Sequence, residues 1–323
     1  MNAQELKNVL QTYCDNQANI GVCVYALIKD AEKSTPFKLD IEVDAQAGLK
    51  DLFIQSIRDE ILRKEDISLL ALSSADERAN AIYVYDLPIP EELTSLETVV
   101  TQDDLPVLNL KEVSLSSIKA LLIEIGNNDR QLVLYKTMAH INIFSRASFF
   151  LRKHKSRLER VEEEFLRVSA DFQMMRISGE LLVLKLEALE RNFGFHDVIK
   201  REAALGIDAI VSADLLINPD VLRELVDDVK YARRLTKIAK ASPVLKAGIS
   251  GASIVQFCKT FPLLAKHRFQ FNAENNKIIL DTKVSKDLFI KILMDDFLTS
   301  ELTKLHYASV AKDAVEPSTE EEN

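Results

Sequence analysis

Residues 171–195 read DFQMMRISGELLVLKLEALERNFGF, and this stretch decides the fold class. Met174 to Ile177 and Glu180 to Leu184 are apolar, strand-forming runs on either side of Ser178-Gly179, a pair suited to a tight hairpin turn. The second strand runs directly into LEALER, a short helical segment. The helix stops at Asn192-Phe193-Gly194-Phe195, where Asn and Gly supply unusual backbone angles and the two phenylalanines fill a junction between domains. An exposed Phe193 and Phe195 pair would instead be a docking knob. No catalytic motif lies in or near this stretch.

Upstream, the chain reads as a sheet with helices. Leu6, Val9, Leu10 and Tyr13 recur at helical spacing. Ile20 to Ile28 is apolar on both faces, as a central strand is. Phe37, Leu39, Ile41 and Val43 alternate with charged residues and predict a half-exposed strand. Leu49, Leu52, Phe53, Ile57 and Ile61 mark a helix, and Ile82 to Tyr85 a short strand. Pro90, Glu91 and Glu92 suit a helix start. Ile118 to Ile125 and Leu132 to Tyr135 flank Gly126-Asn127-Asn128-Asp129, four turn formers, and predict a hairpin; Ile141 and Ile143 would add a further strand. Arg146 to Arg160 breaks the pattern with a crowd of cations.

Downstream the chain turns helical. A helix is expected from Phe195 to Ser212, with Gly206 as an early stop. Another is capped by Asn218-Pro219-Asp220 and runs through Val229; Ile249 to Thr260 is a third. Arg268 to Phe271 and Lys277 to Asp281 form a second hairpin, and Leu288, Ile292, Leu293 and Phe297 a last helix. The fold class is therefore mixed α+β. An antiparallel-rich sheet with helices makes up residues 1–188, a mainly helical domain with the hairpin 268–281 makes up 189–312, and an acidic, disordered tail spans 313–323.

Composition narrows function mostly by exclusion. The 323 residues carry a net charge of −9 and only 8 Gly and 8 Pro. Three cysteines, Cys14, Cys23 and Cys258, show no C-x-x-C pair, which fits a reducing compartment and no structural zinc. No signal peptide is evident, and no apolar run reaches the ~20 residues that cross a bilayer. The five histidines have no metal-ligand spacing, and Gly248 to Gly251 lacks the lysine of a phosphate loop. No cofactor or metal is expected.

An acidic chain can still bind DNA if its cations are segregated. Two clusters qualify. Lys230, Arg233, Arg234, Lys237 and Lys240 fall three or four residues apart, on one helical stripe, with Leu235, Ile238 and Ala239 on the inward side. Arg152, Lys153, Lys155 and Arg157 form the second. The plain alternatives are a solvated helix face pairing with Asp227 and Asp228, and a loop or helix start facing Glu162 to Glu164. A different class of function rests on Glu274, Asp281 and Lys283. Two acids and a lysine on a hairpin are what a magnesium nuclease uses to hold metal and activate water.

The order of these features resembles the KwaB proteins of bacterial Kiwa anti-phage defence. The resemblance covers residues 118 to 305. It rests on LLIEI (121–125), a turn and QLVLYK (131–136); on Phe165 to Phe172 leading into MMRISGELLVLK (174–185); on LEALERNFGF (186–195); and on FQFNAENNKIILD (269–281) before a last helix. It implies a cytoplasmic protein, held at the inner membrane through a small membrane partner, KwaA. It also implies self-association as a homodimer or larger, and DNA binding with little sequence preference. It supplies no functional residues. The expectation is a non-catalytic DNA-binding effector, with a metal-dependent nuclease and a protein-only adaptor as the other readings.

Overall fold

Residues 118–137 build the centre of the molecule's main sheet. A computed structural model describes residues 1–28, 35–74, 79–102, 104–127, 130–138, 143–144, 150–154, 157–161, 164–191 and 193–309. It divides into two units, Met1–Ala71 with Arg78–Phe195, and Leu72–Glu77 with His196–Asn323. The fold is mixed α+β.

In the first unit, α1 (Ala3–Asp15) begins with a reciprocal cap between Asn2 and Glu5. It is followed by β1 (Gly21–Ile28), β2 (Phe37–Lys38), α2 (Val43–Ile57), β3 (Ser68–Ala71), β4 (Ala81–Val84) and α3 (Ser95–Thr101). Next come β5 (Ile118–Asn127), β6 (Arg130–Thr137), β7 (Ile143–Phe144), β8 (Phe150–His154), β9 (Arg157–Val161) and β10 (Phe165–Leu166). The unit closes with β11 (Met174–Ile177), β12 (Glu180–Val183) and α4 (Leu186–Arg191). Eight strands form one sheet in the order β2-β1-β5-β6-β11-β12-β4-β3. Within this sheet only β3 and β4 pair in parallel.

Both faces of this sheet are buried, and the alternation of residues along each strand assigns them. Val22, Val24, Ile123, Ile125, Leu132 and Leu134 join Leu6, Leu10, Phe53 and Ile57 of α1 and α2 in one core. The intervening residues Tyr25, Leu122, Val133 and Tyr135 are buried on the other face, where α3 packs against β6. The β11–β12 turn places Ser178 at φ 50° and Gly179 at φ 80°, the two left-handed positions that a two-residue hairpin needs. Phe193 is half-buried, edge-on to Tyr135 with ring centroids 5.3 Å apart, and Phe195 is buried, so neither is a free knob.

In the second unit, α5 (Phe195–Ser212) runs unbroken through Gly206. A β-carbon there would lie 2.0 Å from the carbonyl oxygen of Leu235, so this glycine marks a close backbone crossing and not a stop. After α5 come a tight 3-10 turn (Pro219–Leu225), α6 (Val229–Ala241), α7 (Pro243–Lys246), α8 (Gly251–Thr260) and α9 (Pro262–Ala265). Then follow β13 (Gln270–Phe271), β14 (Ile278–Ile279), α10 (Lys283–Leu293), β15 (Phe297–Thr299) and β16 (His306–Ala308).

Several expectations are corrected. The strand expected from Phe37 to Val43 is two residues long, and Val43 opens α2, because only Tyr25 and Ala26 of β1 face it. Strand β3 went unpredicted. Asn218 does not cap a helix. Its side-chain amide bonds both backbone groups of Leu280, at 2.8 and 3.0 Å, and the helix assigned through Val229 is a 3-10 turn followed by α6. Phe297 lies in β15 and not in the last helix. Ile141 and the tail 313–323 lie outside the described residues.

One charged group is deep in the sheet. Lys136, 1% exposed, donates to Ser169 Oγ at 2.9 Å and to the Asp171 carbonyl and carboxylate at 2.8 Å each. Burial raises the Asp171 carboxyl, but hydrogen bonds from Lys136 and Ser169 and the charges of Lys136 and Lys185 outweigh it and hold the group at about 2. A lowered carboxylate stabilises the fold above its ordinary value of ~3.9, and that contribution is lost as pH falls toward about 2. Because Asp171 is 45% exposed, solvent screening reduces the effect to about 1 kcal/mol. Urea denaturation across this pH window should show Asp171→Asn to be less stable than the parent at neutral pH but less sensitive to acid.

Candidate nucleic-acid interface

Helix α6 carries its cations on one side. Tyr231, Ala232, Leu235, Thr236 and Ile238 are buried, and Thr236 donates back to the Ala232 carbonyl at 3.0 Å. At the helical repeat, Arg233, Lys237 and Lys240 lie opposite this buried side, with Arg234 at its flank. Ala239 is a correction: it is exposed and does not pack inward. From Lys230 to Lys240 the helix rises ~15 Å.

The stripe is not uniform. Arg234 is 15% exposed and bonds Asp287 of α10 through Nη1 at 2.5 Å, and Lys291 reaches the other oxygen of Asp287 at 3.1 Å. Burial raises the Asp287 carboxyl, while hydrogen bonds from Lys291 and Arg234 and the charge of both bring it below its ordinary range. Of the two acids expected to pair with Arg234, Asp227 instead bonds Lys200 at 2.8 Å. Arg233, Lys237 and Lys240 are half-buried and each interacts with the protein. The side chain of Lys230 lies outside the described set.

The second cluster sits on a hairpin, not on a loop or helix start. Strand β8 pairs with β9 so that Arg152 faces Glu159, Lys153 faces Leu158 and His154 faces Arg157. Arg157 is exposed. Lys155 and the side chains of Arg152 and Lys153 lie outside the described set.

The three nuclease candidates each have a local partner. Glu274 accepts from Asn272 in the β13–β14 turn at 2.6 Å, and Asp281 accepts from Gln270 at 2.9 Å. The Lys283 ammonium stands 5.9 Å from the Tyr231 ring centroid. Among the described residues, no three His, Cys, Asp or Glu side chains are grouped to hold a metal ion. Cys258 is buried and its thiol is pushed up to about 12 by that burial, so it is a core residue rather than a nucleophile.

A family model described as Kiwa protein KwaB-like matches residues 115–303, a span that contains β5 through β15 and both basic clusters. The chain belongs to this family. Kiwa protein KwaB of Escherichia coli O55:H7 (strain RM12579 / EPEC) is 28% identical over 325 residues, covering 98% of this chain and 100% of that protein. No solved structure matches. Membership implies a role in Kiwa anti-phage defence. None of the helices among the described residues is long and apolar enough to cross a membrane.

Arg234 is thus as much a tie between helices as a surface charge. Arg234→Ala should cost about 1–3 kcal/mol in urea denaturation, because it removes a charged hydrogen bond from a half-buried carboxylate. Lys246→Ala, at an exposed position, should stay within about 0.5 kcal/mol.

Proposed function

We propose that this member of the KwaB family serves defence by gripping the DNA backbone without reading its sequence, while a KwaA-like partner holds it at a membrane. The observation that carries the DNA reading is the one-sided cationic stripe of α6, set opposite its buried apolar side, in a chain of net charge −9. The acid beside the stripe, Asp287, lies between Arg234 and Lys291, so its negative charge is already compensated by two cations. In this reading Arg233, Lys237, Lys240 and Lys230 meet phosphates, and Arg234 holds the helix in place. Long basic side chains can bury their stems and still extend their charged ends to a backbone. Arg152, Lys153, Lys155 and Arg157 supply a second set of phosphate contacts in the same proposal. No residue in either cluster is asked to break a bond.

Neutralising phosphates releases counterions, so the logarithm of the binding constant falls with the logarithm of salt by ~0.9 per neutralised phosphate on duplex DNA. Replacing Arg233, Lys237 and Lys240 by Ala should weaken binding on all sequences alike and lower the salt slope by ~0.9 for each phosphate no longer neutralised. Arg63→Ala is the control, since Arg63 already pairs with Asp59. A triple variant that folds normally and keeps the parent's affinity and slope removes α6 from the proposal.

Symmetric pairing would place two copies of each stripe along one duplex and multiply a weak affinity. Light scattering should therefore give a species of at least twice 36.5 kDa. Detergent-solubilised KwaA-like protein should retain the chain on an affinity column. A monomer at micromolar concentration, or passage through the column, contradicts the corresponding part of the proposal.

A further inference from the structure

Where β5 turns into β6, at one end of the main sheet, the first unit holds a polar recess of about 390 Å³. This is within the range of small-molecule sites. The end of α1 supplies Tyr13 and Asn16, the turn after it Asn19, and the hairpin Asn127 and Arg130. Asn127 pairs with Arg130 in register, two residues beyond Ile125 and Leu132, so both belong to the sheet face that α1 covers. Among the described residues, none of those lining the recess is an acid.

Tyr13 is 4% exposed, with its ring in the α1–α2 core. Its hydroxyl has no hydrogen-bond partner among the described residues and is not sealed from solvent, so it opens onto the recess that the residue lines. Burial raises this phenol above its ordinary range, and the charge of Arg130 opposes the rise. The hydroxyl is therefore a donor at neutral pH, within electrostatic reach of the guanidinium. Arg130 is exposed and meets no carboxylate among the described residues. The carbonyls at the end of α1 are already taken. Asn16 bonds the Thr12 carbonyl through its side-chain amide at 2.9 Å and its backbone at 3.1 Å, Arg58 bonds that of Cys14 at 3.1 Å, and the Asn19 backbone bonds that of Asn16 at 2.8 Å. The negative end of the helix is thereby blunted, and the recess offers mainly donors. A guanidinium fork takes two oxygens of one anion; a phosphate ester has a third for a hydroxyl, and a carboxylate does not.

We infer that this recess binds a small phosphate monoester with a polar body, its phosphate on Arg130 and the Tyr13 hydroxyl and its body against the Asn16 and Asn19 amides. The site shares no residue with either basic cluster and does not rest on the DNA reading.

Ribose 5-phosphate, ribose and inorganic phosphate separate head from body as probes for the full chain. Calorimetry and saturation-transfer NMR at low salt should show ribose 5-phosphate binding saturably in the millimolar range or below. It should bind at least about tenfold more tightly than ribose, the ratio of one charge-assisted hydrogen bond, and more tightly than inorganic phosphate. Arg130→Gln should weaken the ester at least about tenfold, and Tyr13→Phe about two- to tenfold, the loss of one neutral hydrogen bond. Tyr13→Phe keeps the ring in the core, so its thermal melt should match the parent's. Ala at Arg233, Lys237 and Lys240 should leave the affinity unchanged, which separates the recess from a phosphate held by α6. Absence of saturable ester binding in the millimolar range overturns the inference. So does ribose or inorganic phosphate binding as tightly as the ester, unchanged affinity in an Arg130→Gln or Tyr13→Phe protein that melts like the parent, or loss of binding in the α6 triple variant.

Discussion

A lysine side chain 1% exposed in a sheet face needs a full set of acceptors, and Lys136 has one. Desolvating such a group costs several kcal/mol, which only close pairing and hydrogen bonding offset. Its three acceptors all come from residues 169–171, the approach to β11. Gln173 continues the same anchor: its side-chain oxygen accepts from the Thr137 backbone at 2.7 Å, and its backbone amide donates to the Tyr135 carbonyl at 2.9 Å. Strand β11 therefore enters beside β6 in a single register. A slip of one residue would turn Met175 and Ile177 away from the α1–α2 core and strip Lys136 of its partners. The hairpin of β11 and β12, strand β4 and the edge strand β3 all follow from that placement.

The parts of the fold legible in the sequence are those set by local chemistry. The β5–β6 and β11–β12 hairpins are readable because turn residues stand between runs that alternate or stay apolar. Helices α1, α5 and α8 are readable from periodicity and caps. The misses share a physical cause, which is that distant partners decide them. Ser68 to Ala71 forms β3 only because β4 offers a parallel edge. Asn218 reads as a cap, but Leu280, 62 residues away, supplies better partners for its amide. Phe297 continues the apolar spacing of α10, yet its ring meets Phe261 edge-on, with centroids 5.5 Å apart. Gly206 reads as a helix stop by propensity, and only the approach of Leu235 reveals why a glycine is needed there.

The same division runs through the candidate interface. Periodicity alone identifies which side of α6 is charged, because a 3.6-residue repeat fixes faces without reference to the rest of the chain. It does not identify the acid that meets Arg234. Asp227 and Asp228 are close in sequence, but Asp287 lies 53 residues further on and arrives through the packing of α10 on α6. The basic run at Arg152 to Arg157 hides a hairpin because strands rich in charge lack the apolar alternation that announces them. Its register supplies the missing signal by setting Arg152 across from Glu159.

Arg234 also shows why a stripe of like charges can persist on a helix that must pack. Cations on one side of a helix repel each other at the spacing of a helical turn. Joining one of them to an acid that another helix provides lowers that repulsion and fixes the helix at once. The acid is itself shared with Lys291, so the cluster of Arg234, Asp287 and Lys291 still sums to a positive charge. An ion pair of this composition ties α6 to α10 without neutralising the surface beside it. A chain of net charge −9 can in this way keep a positive face, because Asp287, held against α6, is outnumbered by Arg234 and Lys291.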